Sequence, residues 1–165
     1  MRLLFGTVLV FLLCPLTCLA QDNVNQTNSL ASEAKKFMDA YAVDLRDHNA
    51  EAIAGRYSRS GAYALGAGAK VFRAYDEIKS TYLEKWRGPS SFEWQDISYE
   101  LLGPDAVMVA GKFSWGRGDT REPLVFSYTG ILLREDGELR IRLEDESFNP
   151  QSIKEFLCAP KDSTP

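Results

Sequence analysis

The second half of this chain is four long runs of alternating side chains separated by turn residues, and that pattern commits it to an antiparallel sheet. Phe92 to Leu102 ends at Gly103-Pro104-Asp105, and Ala106 to Trp115 ends at Gly116-Arg117-Gly118-Asp119. Leu124 to Arg134 ends at Asp136-Gly137, and Leu139 to Phe148 ends at Asn149-Pro150. Side chains two apart in a strand share a face, so each run can bury one face and wet the other. An Asp-Gly pair between two such runs is a strong hairpin signal. The four runs read as a meander.

Ahead of the strands the period changes. Leu30, Ala34, Phe37, Met38, Tyr41, Ala42 and Leu45 recur at three and four residues, which predicts one amphipathic helix with Ser29 or Ser32 near its start. Asn49 can cap a second, shorter helix through Ala50, Ile53, Ala54 and Tyr57, with Arg46-Asp47-His48 as the turn between them. Tyr63 to Leu65 and Val71 to Arg73 are short apolar pieces around Gly66-Ala67-Gly68-Ala69-Lys70. That glycine-rich stretch lacks the long strand before it and the helix spacing after it that a phosphate loop requires, so it reads as a flexible loop. A third helix carries Ile78, Tyr82, Leu83 and Trp86 on one face and stops at Gly88-Pro89. Helices first and a meander afterwards make an α+β chain, with the helices on one face of a curved sheet.

Of the 165 residues, 1–20 read as a signal peptide: Arg2, an apolar run from Leu3 to Leu13, and small residues before Gln21. The run falls short of the ~20 residues that span a bilayer, so no stable membrane anchor is expected. Export to the periplasm or the outside follows, with lipidation at Cys18 as the alternative. Residues 21–30 are polar and unpatterned, a flexible leader; 31–157 form one domain, and 158–165 a disordered tail. Asn25-Gln26-Thr27 matches a glycosylation acceptor. Cutting after Ala20 leaves Cys158 as the only thiol, so no internal disulfide can form. The formal charge of −4, one unit more negative without Arg2, repels polyanions and excludes nucleic acid as a partner class.

Chemistry is sparse. The single histidine, His48, supports neither a nucleophile triad nor a zinc site, and reads as a solvated loop residue. The last strand is more pointed. Strict alternation puts Leu139, Ile141, Leu143 and Asp145 on one face, and Arg140, Arg142, Glu144 and Glu146 on the other. A carboxylate on the core face means either that the strand leaves the core or that a pocket begins at Asp145. In a pocket, desolvation would raise its pKa and suit it to proton exchange near neutral pH. Tyr41, Tyr57, Tyr63, Trp86, Trp115 and Tyr128 could wall a flat ligand, although the same spacing also serves a plain core.

The order of these elements resembles the nuclear transport factor 2-like superfamily, which includes ketosteroid isomerases and SnoaL-like polyketide cyclases. The resemblance runs from Ser32 to Phe148 and is carried by three local matches. These are Asn49 to Tyr57, Tyr75-Asp76-Glu77-Ile78, and Asp136-Gly137-Glu138-Leu139-Arg140-Ile141. It implies a cone-shaped, cystatin-like antiparallel sheet wrapped around three N-terminal helices, with a small-molecule pocket at the open end. Isomerase members use a tyrosine on the first helix as oxyanion donor, which Tyr41 matches. Their base falls near Leu65, with no acid between Ser60 and Val71, and their sheet acid falls near Thr129. Where SnoaL-like members carry histidines, this chain has Leu143 and Asp145.

The reading that follows is an exported binder of a small apolar or aromatic ligand, walled by Tyr57, Tyr63, Trp86, Trp115 and Tyr128. It would be a homodimer through the outer sheet face and use no cofactor or metal. The alternatives are an isomerase or cyclase-type enzyme with Asp145 as acid/base and Tyr41 as oxyanion donor, and a homo-oligomeric interaction module with no ligand.

Overall fold

A computed structural model describes residues 17–65, 71–118 and 122–148, with the backbone alone over 17–28. Three helices, α1 (Thr17–Arg46), α2 (Ala50–Gly55) and α3 (Tyr75–Ser80), lie against one sheet. Its strands are β1 (Ala62–Leu65), β2 (Phe72–Arg73), β3 (Phe92–Gly103), β4 (Ala106–Trp115), β5 (Leu124–Glu135) and β6 (Glu138–Phe148). Their order is β2-β1-β6-β5-β4-β3, antiparallel except where β1 lies parallel to β6. The expected α+β class and curved sheet are what the structure shows.

The strand ends fall at the turn residues. Asp136 and Gly137 both take positive φ, 52° and 85°, as a two-residue type I′ hairpin requires. Asn49 caps α2, its Oδ1 accepting from Ala52 N at 3.1 Å. On α1, the stripe of Leu30, Ala34, Met38, Tyr41, Ala42 and Leu45 is buried as the periodicity predicts. Trp94 of β3 locks onto it by donating to the Met38 carbonyl at 3.0 Å. Arg134 of β5 donates to both Glu33 oxygens at 2.9 and 2.7 Å, tying helix to sheet.

Two details differ from expectation. The helical backbone of α1 begins at Thr17, so the residues read as a leader, 21–30, lie within it. Extending a helix that packing has already nucleated costs little per residue, which polarity alone does not reveal. The third helix changes pitch, with a π-helical turn over Thr81–Lys85 closed by Trp86 N donating to the Thr81 carbonyl at 3.0 Å. The positions read as signal peptide lie outside the described residues up to 16, as do the loop at 66–70 and the C-terminal tail.

The decisive feature is a β-bulge. On β5 and β6, Ile131 pairs with Leu143 but Leu132 pairs with Ile141, so Arg142 is an extra residue without a partner. Alternation reverses across it. Leu139 and Ile141 point inward before the bulge, and Glu144, opposite Gly130, points inward after it. Asp145 does not share the face of Leu139 and Ile141: it stands on the outer face between Leu65 and Thr129. A second irregularity, between Gln95 and Ser98 of β3 with Asp96 at φ 52°, adds to the bend of the sheet.

Candidate functional site

The bulge delivers Glu144 into the space between sheet and helices, flanked by Ala64 of β1 and Gly130 of β5. Both neighbours are small, so neither covers the carboxylate. Three tyrosines from three other segments meet it. Tyr57, just past α2, donates its hydroxyl to Glu144 Oε1 in a short hydrogen bond. Its oxygen then accepts from Tyr82 of the π turn at 2.7 Å and lies 3.3 Å from the hydroxyl of Tyr41 on α1.

Burial dominates the electrostatics. Desolvation lifts Glu144 to about 7, against the opposing pull of the Tyr57 hydrogen bond and the Arg73 charge. Glu146, on the same face, is also raised, by desolvation on its pocket side and then by the charges of Glu144 and Asp145. Its residue still reaches solvent at the strand end, so Glu144 is the better-isolated proton carrier. Tyr41, Tyr57, Tyr82 and Tyr128 are all pushed above the ordinary tyrosine value, first by burial, and remain protonated donors. Two buried polar atoms here have no hydrogen-bond partner: Glu144 Oε2 and the Tyr128 hydroxyl. Tyr128 lies along its own strand, over the vacancy at Gly130, where a Cβ would stand 2.7 Å from that hydroxyl.

These groups open onto a cavity of about 180 Å³. Its walls are Tyr41, Tyr57, Tyr82, Trp86, Phe92 and Trp115, and its polar lining is Glu144, Glu146, Arg73 and Thr81. A broader groove of about 530 Å³ lies elsewhere, bordered by Lys36, Arg56, Arg59 and Arg140. Two of its cations are already engaged, Arg56 with Asp44 at 2.7 Å and Arg140 with Gly55 and Glu138. No cluster among the described residues could hold a metal ion.

The structure therefore brings Tyr41, Tyr57, Trp86 and Trp115 together around one cavity and sets Tyr128 buried nearby. It leaves Tyr63 outside, 40% exposed beside Phe72, with the Arg142 guanidinium 5.5 Å from its ring centroid. Asp145 does not line the cavity. Glu144 and Glu146, read as outer-face residues, do, because one unpaired residue inverted the strand. Tyr82 was legible as a buried helix position but not as a partner of a carboxylate. His48 is not simply solvated: its Nε2 lies 2.7 Å from the Pro89 carbonyl, and its ring stands edge-on to Trp86.

Helices cupped by a bent sheet recur among solved structures. A protein from Pseudomonas putida of the nuclear transport factor 2-like group superposes with a TM-score of 0.63 at 18% identity, covering 73% of this chain and 87% of that one. The chain has the nuclear transport factor 2-like fold. A candidate scytalone dehydratase from Novosphingobium aromaticivorans gives 0.59 at 13% identity, over 76% of this chain and 88% of its own. A type 2 hexachlorocyclohexane dehydrochlorinase gives 0.57 at 10% identity, over 75% and 88%. No family model and no curated protein matches the sequence. At these identities the nuclear transport factor 2-like fold is what is shared, and the chemistry has to come from this chain's own residues.

Proposed function

We propose that the cavity binds a small, mainly apolar molecule about the size of one aromatic ring, with its polar group against Glu144. The observation that carries this reading is the unpartnered Glu144 Oε2, buried behind aromatic walls. An unsatisfied buried polar atom costs ~1–3 kcal/mol, a cost that a ligand donor removes. A cavity of about 180 Å³ suits one ring, since an apolar cavity of ~150 Å³ accepts benzene.

Benzyl alcohol serves as a neutral probe. In a ligand-observed NMR titration, Trp86→Ala should weaken its binding at least tenfold, while Asp145→Asn should leave it within about twofold. Equal affinity in wild type and Trp86→Ala would remove this cavity as the site.

An acid–base enzyme is the second reading, favoured by the position of Glu144 near neutral pH and by three tyrosine hydroxyls ranged beside it. Glu144 then takes the role assigned to Asp145, and Tyr41 acts through Tyr57 rather than directly. Glu144→Gln should abolish turnover yet hold benzyl alcohol within about tenfold, ~1.4 kcal/mol.

We further propose export, with cleavage after Ala20, and a homodimer through the outer sheet face. The dimer is supported by Ile131, Leu133 and Leu143 standing on that face close to exposed Tyr63. Native mass spectrometry of the protein recovered from its own source reads all three proposals in one spectrum. The expected result is a dimer of chains beginning at Gln21, carrying a small bound mass. A ligand-free oligomer would favour the interaction-module alternative.

A further inference from the structure

We infer that the ligand is an organic cation: a small amine whose ammonium group sits at Glu144 and Glu146 and whose body lies among Tyr82, Trp86 and Trp115. This deepens the pocket reading above and rests on it.

Charge is the first ground. Glu144 and Glu146 are two apart on the same strand face, which places them ~6.6 Å apart along β6 at 3.3 Å per residue. Arg73 is the one cation among the described lining residues. Two carboxyls against one guanidinium leave the ionised cavity with an excess negative charge. A neutral ligand leaves that repulsion in place, whereas an ammonium relieves it.

The orphan oxygen is the second ground. Glu144 is 8% exposed and its Oε1 is occupied by Tyr57, so Oε2 is the buried acceptor of a cavity-lining residue and still wants a donor. An ammonium N–H supplies donor and charge together, making the stronger kind of hydrogen bond.

The aromatic walls are the third. Trp86 stands edge-on to Trp115 at 83° and to Tyr82 at 63°, with centroids 6.4 and 5.6 Å apart. Rings turned at such angles offer π faces in more than one direction, the arrangement that stabilises a cation next to aromatic groups.

The groups facing Glu144 set the sign of the pH dependence. They are Glu146 on its own strand, Tyr41 from α1, Tyr57 after α2, Tyr82 from the π turn, Tyr128 from β5 and Arg73 from β2, with Asp145 behind on the outer face. The tyrosines stay protonated, so the carboxyl pair is what titrates. A cation binds its ionised form, and affinity therefore rises with pH as long as the amine remains protonated.

Benzylammonium and its neutral isostere benzyl alcohol, titrated by NMR against the full chain, test the inference. At pH 8 benzylammonium should bind at least ten times more tightly than the alcohol, and at least five times more tightly than it does at pH 5.5. Glu144→Gln should bring the two probes to within about twofold of each other, and Glu146→Gln should reduce the preference by a smaller factor. The inference is overturned if the alcohol binds as well as the ammonium, or if both variants keep the full preference. Binding of the alcohol alone leaves the pocket reading standing. Binding of neither probe sinks both.

Discussion

Glu144→Gln should make the folded chain more stable at pH 8, by up to about 3 kcal/mol, and leave it nearly unchanged at the acid end near pH 4.5. The folded-state pKa of Glu144, about 7, lies above its ordinary 4.5. Between those values the folded state holds a proton that the unfolded state has released. Wild-type stability therefore falls as pH rises through that window and levels off above it. Glutamine has nothing to release, and its carbonyl can still accept from Tyr57. Urea unfolding at pH 5, 6, 7 and 8 reads the difference directly. Part of the slope should survive in the variant, because Glu146 is raised in the same direction. Parallel pH profiles for wild type and variant would mean that Glu144 carries its charge in the fold at no cost.

Inserting an alanine between Ile131 and Leu132 should be far more damaging than replacing Arg142. The added residue would stand opposite Arg142 and abolish the bulge, so the alternation that starts at Leu139 and Ile141 would carry Leu143 and Asp145 inward and turn Glu144 and Glu146 out. Asp145 would then face the helices without a partner, while Leu143 would lose its register with Tyr63 on β1. A buried unpaired charge and a lost strand pairing together belong to the class of changes exceeding ~4 kcal/mol. The expected result is loss of the cooperative transition in urea. Arg142→Ala should keep it, since the side chain contributes a hydrogen bond to Ser60 at 3.0 Å, another to Gly61, and stacking on Tyr63 and Phe72. An insertion variant that unfolds like wild type would show that the bulge does not decide which acids face in.

The sheet was legible because its boundaries are chemical. Pro104-Asp105 and Asp136-Gly137 mark turns whatever lies between them, and the helical stripe from Leu30 to Leu45 carries its own period. The site was illegible because its key event has no chemical signature. Arg142 is an ordinary strand residue, and nothing local announces that it will go unpaired; only the pairing of β6 with β5 on one side and β1 on the other makes it so. Counting by twos through that position assigned the wrong carboxylates to the core face. The tyrosine cluster was hidden for a related reason. Tyr41, Tyr57 and Tyr82 are spread over three segments, and each alone looks like core. The π turn that precedes Trp86 depends on a carbonyl five residues back, which no local propensity encodes.

The parallel seam between β1 and β6 bears on how the molecule is made. β1 has only the two-residue β2 on its other side, and its main partner lies about eighty residues further along the chain. Such pairings close late, because a long stretch must be confined before any bond rewards it. On a ribosome, the nascent chain could assemble the hairpins of β3, β4 and β5 while Tyr57 and Ala64 still waited for a wall to lean on. Glu144 emerges with that wall. The cavity is thus completed only once β6 has been made, and a chain stopped before β6 would hold helices and hairpins with Tyr57 and Ala64 facing no wall.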